Sequence, residues 1–297
     1  MIDCKRLKRF FNEKAEEYLR YFEHFSLKNL FKVAARYHFK HLKMKRFGYI
    51  LTAHKIKRSF NRAAGTYDHS CQVQTAAGEH LIQLLHQHPL SIRECAIDLG
   101  CGTGIVTEKL ARSISFLEFH AIDIADQLLI KAKPRLIPHG VSVYPMDFDQ
   151  LSLDKKSFDL IFSNMALHWS KDFSFLLHTL HAYLSPSGIL AFSIPLTGTF
   201  TELQHYAALN AFHASQEVTA TLEKMGYTLC AHHQEKKIIS FDHPLAALQS
   251  IKKTGANCVH ERKKAGLQGK SLLKQLAVTQ LTYVIGYFLA MPCAVKT

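Results

Sequence analysis

Residues 94–104 read ECAIDLGCGTG, and no other stretch constrains the fold as tightly. Its first half is a short apolar run closed by an acid, with the length and composition of a buried strand. Its second half sets glycines at 100, 102 and 104 and passes through Ile105 and Val106 into TEKLARSI, whose apolar residues recur at helical spacing. A strand that empties through a glycine turn into a helix leaves the backbone amides of the helix start open to a ligand, because glycine carries no Cβ to hold it away. The spelling Asp98-x-Gly100-x-Gly102-x-Gly104 differs from the G-x-G-x-x-G of dinucleotide folds, and it is preceded by a carboxylate.

Outward from this turn the chain alternates. FLEFHAI, VSVYP, FDLIFS and GILAFSI have strand character, while ADQLLIKAK, DFSFLLHTLHAYL and TELQHYAALNAF have helical character between them. Two late strands, KKIISF and QLTYVIGYF, flank a helix expected from about His243 to Thr254. Strand and helix in alternation predict a doubly wound, mostly parallel α/β sheet of Rossmann-like type. The apolar run FDLI then opens into SNMALHW, a strand end that offers Asn164, His168 and Trp169 but no carboxylate or thiol.

Composition narrows the class. With 297 residues, 47% hydrophobic and 21% charged, the chain is a globular sequence with room for a real core. No apolar run approaches the ~20 residues of a membrane span, and the charged start MIDCKRLKRFF lacks a signal-peptide core. The expectation is a soluble, cytoplasmic protein without stable membrane insertion. The seven cysteines are scattered and never spaced as CxxC, and the histidines lack partners in ligand spacing, so neither a disulfide framework nor a metal site is expected. Residues 1–58 hold 16 Lys and Arg against 5 acids, whereas the remainder of the chain is close to balance. The apolar positions among those charges recur at three and four, which predicts one or two basic amphipathic helices over residues 5–50. We therefore divide the chain into a basic extension, 1–55, and a main domain, 56–297. No RNP, KH or base-flipping motif accompanies the basic segment, and no nucleic-acid partner is expected.

The glycine spelling resembles that of the class I S-adenosylmethionine (SAM) methyltransferases, and the resemblance implies that Asp98 and the loop of Gly100, Gly102 and Gly104 hold the amino-acid end of the cofactor. The next strands supply what the rest of this ligand needs. HAID places Asp123, followed by Ile124, where a carboxylate can accept both ribose hydroxyls, and MDFD places Asp147 for the adenine amino group and Phe148 for the ring face. Asp123 and Asp147 can each also cap the helix that follows. Three acids at three successive strand ends fit ligand binding better, since open α/β sheets bind at that edge.

A narrower resemblance rests on SFNRAAGTYDHSCQVQ, DFDQLSLDKKSFDLIFSNMALHW, LSPSGILAFSIPLTGTFTEL, LQSIKKTGANCVHER and LTYVIGYFLA, in that order. Together they are similar to the malonyl-[acyl-carrier protein] O-methyltransferases of biotin synthesis, over roughly residues 57–297. The resemblance implies N-terminal helices and a helical lid around the sheet, SAM as cofactor, and an acyl carrier protein bearing a malonyl thioester as partner. It also implies methylation of the free malonyl carboxylate, giving the ester that primes pimeloyl synthesis. A carboxylate is ionised at neutral pH and needs no general base. Tyr67, Lys252 and Arg262 are then candidates for positioning the carboxylate, Lys263 and Lys264 for facing the carrier, and Asn164 for a hydrogen bond at the site. The short link HASQ after LNAF implies a trimmed lid. The alternative keeps the cofactor and changes the acceptor to a small dicarboxylic acid or a quinone precursor.

Overall fold

The computed structural model describes residues 41–88, 94–151, 158–204, 206, 210–256 and 277–293. The chain divides into two compact units, Met1–Leu51 and Thr52–Thr297. In the first, only the opening residues of helix α1 (His41–Ala63) are described. The boundary expected after residue 55 falls inside this helix. The amphipathic helices expected over 5–50 lie outside the described residues, apart from 41–50, which are helical.

The second unit is built on seven strands: β1 (Cys95–Leu99), β2 (Glu118–Asp123), β3 (Val141–Pro145), β4 (Phe158–Asn164), β5 (Leu184–Pro195), β6 (Tyr227–Ser240) and β7 (Gln280–Pro292). They lie in the order β3-β2-β1-β4-β5-β7-β6. The first five are parallel, and β7 runs antiparallel between β5 and β6. Helices α2 (Tyr67–Ser70), α3 (Gln72–Gln87), α4 (Ile105–Ser113), α5 (Asp126–Leu136), α6 (Phe173–His181), α7 (Ser215–Lys224) and α8 (Pro244–Lys253) surround it. This is the expected mostly parallel, doubly wound sheet.

Alternate residues of each central strand enter two separate cores, which is why these strands read as continuous apolar runs. On one face Ala96, Leu160, Phe162 and Ala191 pack with Leu81 and Leu85 of α3, Leu110 of α4 and Leu129 of α5. On the other, Ile97, Leu99, Ile161 and Phe192 pack with Leu176, Leu177 and Leu180 of α6 and Val218 and Leu222 of α7. The strand order reverses between β1 and β4, so the loops after these two strands open a crevice at the carboxyl edge of the sheet.

Two elements differ from expectation. Across 201–212 the described residues contain only a 3-10 turn, Thr201–Leu203, in place of a helix. Glu202 explains the difference: its carboxylate accepts from the Thr282 amide at 3.2 Å and the Thr282 hydroxyl at 2.5 Å, which pins the segment to β7. Strand β6 begins nine residues before KKIISF, at Tyr227, and pairs along its length with β7. Its early residues, CAHHQE, are too polar to read as a strand, which is the composition of an exposed edge. Among the described residues no helix is long and apolar enough to cross a membrane.

Candidate active site

The glycine turn is built for close approach. Gly100, Gly102 and Gly104 all adopt positive φ, at 79°, 58° and 80°. The amides of Gly100 and Cys101 both donate to the Ile122 carbonyl, at 2.8 and 3.0 Å, which folds the loop back over β2. A Cβ at Gly100 would stand 2.4 Å from the Ala166 Cβ, so the loop after β4 packs where only glycine leaves room.

Asp98 lies beneath this turn and is 2% exposed. Its Oδ2 accepts from the Thr107 hydroxyl at 2.6 Å, while Oδ1 is buried with no hydrogen-bond partner. Burial pushes its carboxyl up to about 7, against the Thr107 hydrogen bond and with a smaller contribution from Asp123. A buried carboxylate oxygen with no donor is costly, and an incoming cation would relieve the cost. Asp123 ends β2, and its oxygens accept from the Gly102 amide at 2.9 Å and the Ala125 amide at 2.7 Å. Burial raises it to about 6, with the amides opposing. Each of its oxygens keeps acceptor capacity for a ribose hydroxyl. Ile124 follows it, at the exit of the strand.

Asp147 does cap a turn: it accepts from the Asp149 amide at 3.0 Å and from the Gln150 side chain at 3.3 Å. Phe148 lies beside the glycine turn, its ring 3.9 Å from where a Gly100 Cβ would be. Asp149, in the same MDFD, went unnoticed in the sequence. It accepts from the Ser170 hydroxyl at 2.6 Å and the Lys171 amide at 2.9 Å, tying the loop after β3 to the loop after β4.

Asn164 is occupied by the scaffold. Its side-chain nitrogen donates to the Gln74 carbonyl at 2.8 Å and its oxygen accepts from the Ser193 hydroxyl at 2.7 Å. It therefore fastens α3 and β5 to the end of β4. Beyond it opens a small cavity of about 50 Å³, in part continuous with solvent. Phe60 and Tyr67 come to its wall from the N-terminal helices, Met165 and Trp169 from the loop after β4, Phe200 from the loop after β5, and Tyr283 from β7. Met165 and Phe200 are the described non-glycine residues with positive φ, at 53° and 60°. Each is held there by a backbone hydrogen bond, to Ser193 at 2.9 Å and Thr282 at 2.8 Å. Strain of this kind gathers at ligand sites.

The stretch SFNRAAGTYD folds the N-terminal helices onto the crevice. Phe60 meets Trp169 edge to face at 5.6 Å, and the Asn61 side chain accepts from the Gln127 amide at 3.0 Å, capping α5. Tyr67 then stands over the glycine turn, its hydroxyl 3.6 Å from where a Gly102 Cβ would be. Burial, followed by the nearby Cys71, Asp123, Asp68 and Cys101, drives its phenol well above the usual range. It stays a neutral donor.

The cavity wall among the described residues includes no Lys, Arg, Asp or Glu; its polar groups are the His168 imidazole and neutral side chains, among them Tyr67, Gln74, Asn210, Thr254 and Tyr283. Lys252 was expected here but is exposed in the last turn of α8 and does not line the cavity; Thr254 and Ala256, just beyond it, do. Arg262, Lys263 and Lys264 lie outside the described residues. The described residues that come closest to a metal-donor set, Cys95, Glu118 and His120, sit at or near the amino ends of β1 and β2, away from the cavity.

A methyltransferase domain model matches residues 97–192. The chain is 36% identical over 237 residues to malonyl-[acyl-carrier protein] O-methyltransferase 2 of Coxiella burnetii, covering 80% of this chain and 95% of that protein. It is 27% identical to the malonyl-[acyl-carrier protein] O-methyltransferase of a Methylovorus species, over 77% of this chain and 81% of the relative. In three dimensions it is similar to a Bacillus halodurans protein assigned as a methyltransferase, with a TM-score of 0.54 at 14% identity, over 72% of this chain and 99% of the other. The orphaned Asp98 oxygen and the open glycine turn fit SAM, the cofactor of this class.

Proposed function

The chain belongs to the malonyl-[acyl-carrier protein] O-methyltransferase family, and on that premise we propose that it methylates the free carboxylate of a malonyl thioester carried by acyl carrier protein, at the entry to pimeloyl and biotin synthesis. The observation that carries this reading is the cavity beside the glycine turn, lined among the described residues by aromatic rings, hydroxyls, amides and the His168 imidazole, with no carboxylate and no lysine. SAM, when bound, supplies an electrophilic methyl group on a sulfonium. Asp98 would hold its ammonium, Asp123 its ribose, and Asp147 and Phe148 its adenine, with Gly100, Gly102, Gly104 and Ile124 leaving the backbone exposed to it.

On the acceptor side, the residues have to align an anion and keep it dry. Attack of a carboxylate on a sulfonium methyl consumes one negative and one positive charge, so a low-dielectric wall of Phe60, Trp169 and Phe200 favours the transition state over the separated ions. The neutral Tyr67 hydroxyl is placed between glycine turn and cavity, where it can hydrogen-bond the carboxylate without neutralising it. A cation from outside the cavity, Lys252 or Arg262, is assigned to the carboxylate's approach, and Lys263 and Lys264 to the carrier.

We assign this activity to residues 56–297, in the cytoplasm, and no part in the chemistry to residues 1–55. The test is a comparison of turnover, with SAM, on malonyl-acyl carrier protein, free malonate, trans-aconitate and a quinone precursor. Turnover highest on the carrier-bound thioester is expected. Turnover confined to free acids or to the quinone precursor would overturn the reading.

A further inference from the structure

At the edge of the sheet opposite the glycine turn, two parallel strands bring together three side chains of metal-binding type. Cys95 opens β1 and Glu118 opens β2, and the two residues are paired across the ladder. His120 lies two residues beyond Glu118, so the period of the strand puts both on one face of β2. Cys95 joins the core on that same face, where Phe158 packs edge-on to the His120 ring. The Cys95 Sγ, a Glu118 carboxylate oxygen and a His120 ring nitrogen all lie within 4.8 Å of one another. The sequence gives no hint of the set, because a whole helix, α4, separates Cys95 from Glu118 and no ligand spacing links them.

The spacing is that of ligands. His120 Nε2 stands 3.3 Å from Glu118 Oε2, and two such donors on one tetrahedral Zn²⁺, with bonds of about 2.0 to 2.2 Å, stand about 3.4 Å apart. A surface ion pair would account for that distance alone, but not for a thiol, 8% exposed and in no disulfide, at the third corner. The backbone under the three donors is fixed. The amides of Glu94 and Cys95 both donate to the buried Asp159, at 2.8 and 3.1 Å, and the Glu118 amide donates to the Glu94 carbonyl at 2.8 Å. The thiol and the imidazole are thus held by the ladder, while the Glu118 side chain, 54% exposed, is the arm free to adjust.

We propose that Cys95, Glu118 and His120 form a binding site for one Zn²⁺ ion, with water in the fourth position on the solvent side. A thiolate, an imidazole and a carboxylate together suit this borderline ion, whereas Mg²⁺ and Ca²⁺ take oxygen ligands. As the Zn–S bond forms, the Cys95 thiol gives up its proton to solvent. The ion ties β1 to β2 at the ends opposite Asp98 and Asp123, so it serves the scaffold and touches no reacting atom. The site is independent of the methyl-transfer assignment.

The test titrates Co²⁺, a spectroscopic stand-in for Zn²⁺, into the reduced full chain. One ion per chain is expected, with a thiolate-to-cobalt charge-transfer band in the near ultraviolet that added Zn²⁺ abolishes. Cys95→Ser should lose that band. His120→Gln, at a half-buried position where the fold does not depend on the side chain, should weaken binding by more than about tenfold, since even the loss of an outer-shell partner costs a metal site that much. Zn²⁺ should also raise the melting temperature of the parent and leave that of Cys95→Ser unmoved. A parent chain without the band, a band that survives Cys95→Ser, or an affinity unchanged in His120→Gln would each overturn the site.

Discussion

Asp98 is the residue to which we assign capture of the cofactor's ammonium group. In the fold it holds a proton until about pH 7, whereas an exposed aspartate releases its own near 3.8. Unfolding therefore releases a proton between these values, and the ligand-free chain should lose stability as pH rises through that window. A bound ammonium favours the ionised form, so cofactor binding needs the deprotonated carboxylate. Affinity for S-adenosylhomocysteine should thus climb with pH through about 7 and level off above it. Asp98→Asn should bind weakly at every pH and lose this slope, as calorimetry across pH would reveal; a parental slope in the variant would place the titrating group elsewhere. Tyr67→Phe should keep its melting temperature and cofactor affinity while kcat falls by about tenfold, the effect of one hydrogen bond. The placement of Asp98 and Asp123 in the strands beside the turn, and of the glycines within it, was legible because a turn of this shape admits few residue types. Gln74, Asp149 and Met165 were not, since an amide, an acid in a loop and a strained methionine announce nothing until the chain around them is folded.

At the scale of elements, what matters is how α1 and α2 are held over the crevice. Asn61 caps α5 from a helix more than sixty residues earlier in the chain, and Lys57 reaches Asp126 in the same helix at 2.7 Å. Asn61→Ala should lower stability by about 1 kcal/mol, the usual worth of a cap. It should also raise the KM for SAM, because Tyr67 would lose part of its anchorage; thermal melts and steady-state kinetics would check both. Gly100→Ala should bind no detectable S-adenosylhomocysteine, since its Cβ would meet Ala166 at 2.4 Å. The central strands were readable as apolar runs because both faces of the sheet are covered. Residues 201–203 form a 3-10 turn and not the start of a helix because their helical spacing is overridden by one long-range contact, Glu202 with Thr282. Such a partner is eighty residues away and leaves no local trace.

At the scale of the whole molecule, topology brings together two loops that are distant in sequence. The reversal of strand order between β1 and β4 sets the glycine turn against the loop of Met165 to Trp169, and the N-terminal helices roof the crevice between them. One side of that crevice carries buried carboxylates suited to a cation; the other is aromatic and free of carboxylates among its described residues, with His168 in its wall, and is suited to an anion that must shed water. The division of charge is the physical basis for reading a sulfonium donor and a carboxylate acceptor. It is tested most directly by the intact mass of malonyl-acyl carrier protein after incubation with the chain and SAM. A single methyl group gained by the carrier, found on the distal carboxyl as a malonate monomethyl ester when the acyl group is released at its thioester, is the predicted result. A carrier of unchanged mass, or a methyl group on any other atom, would contradict it.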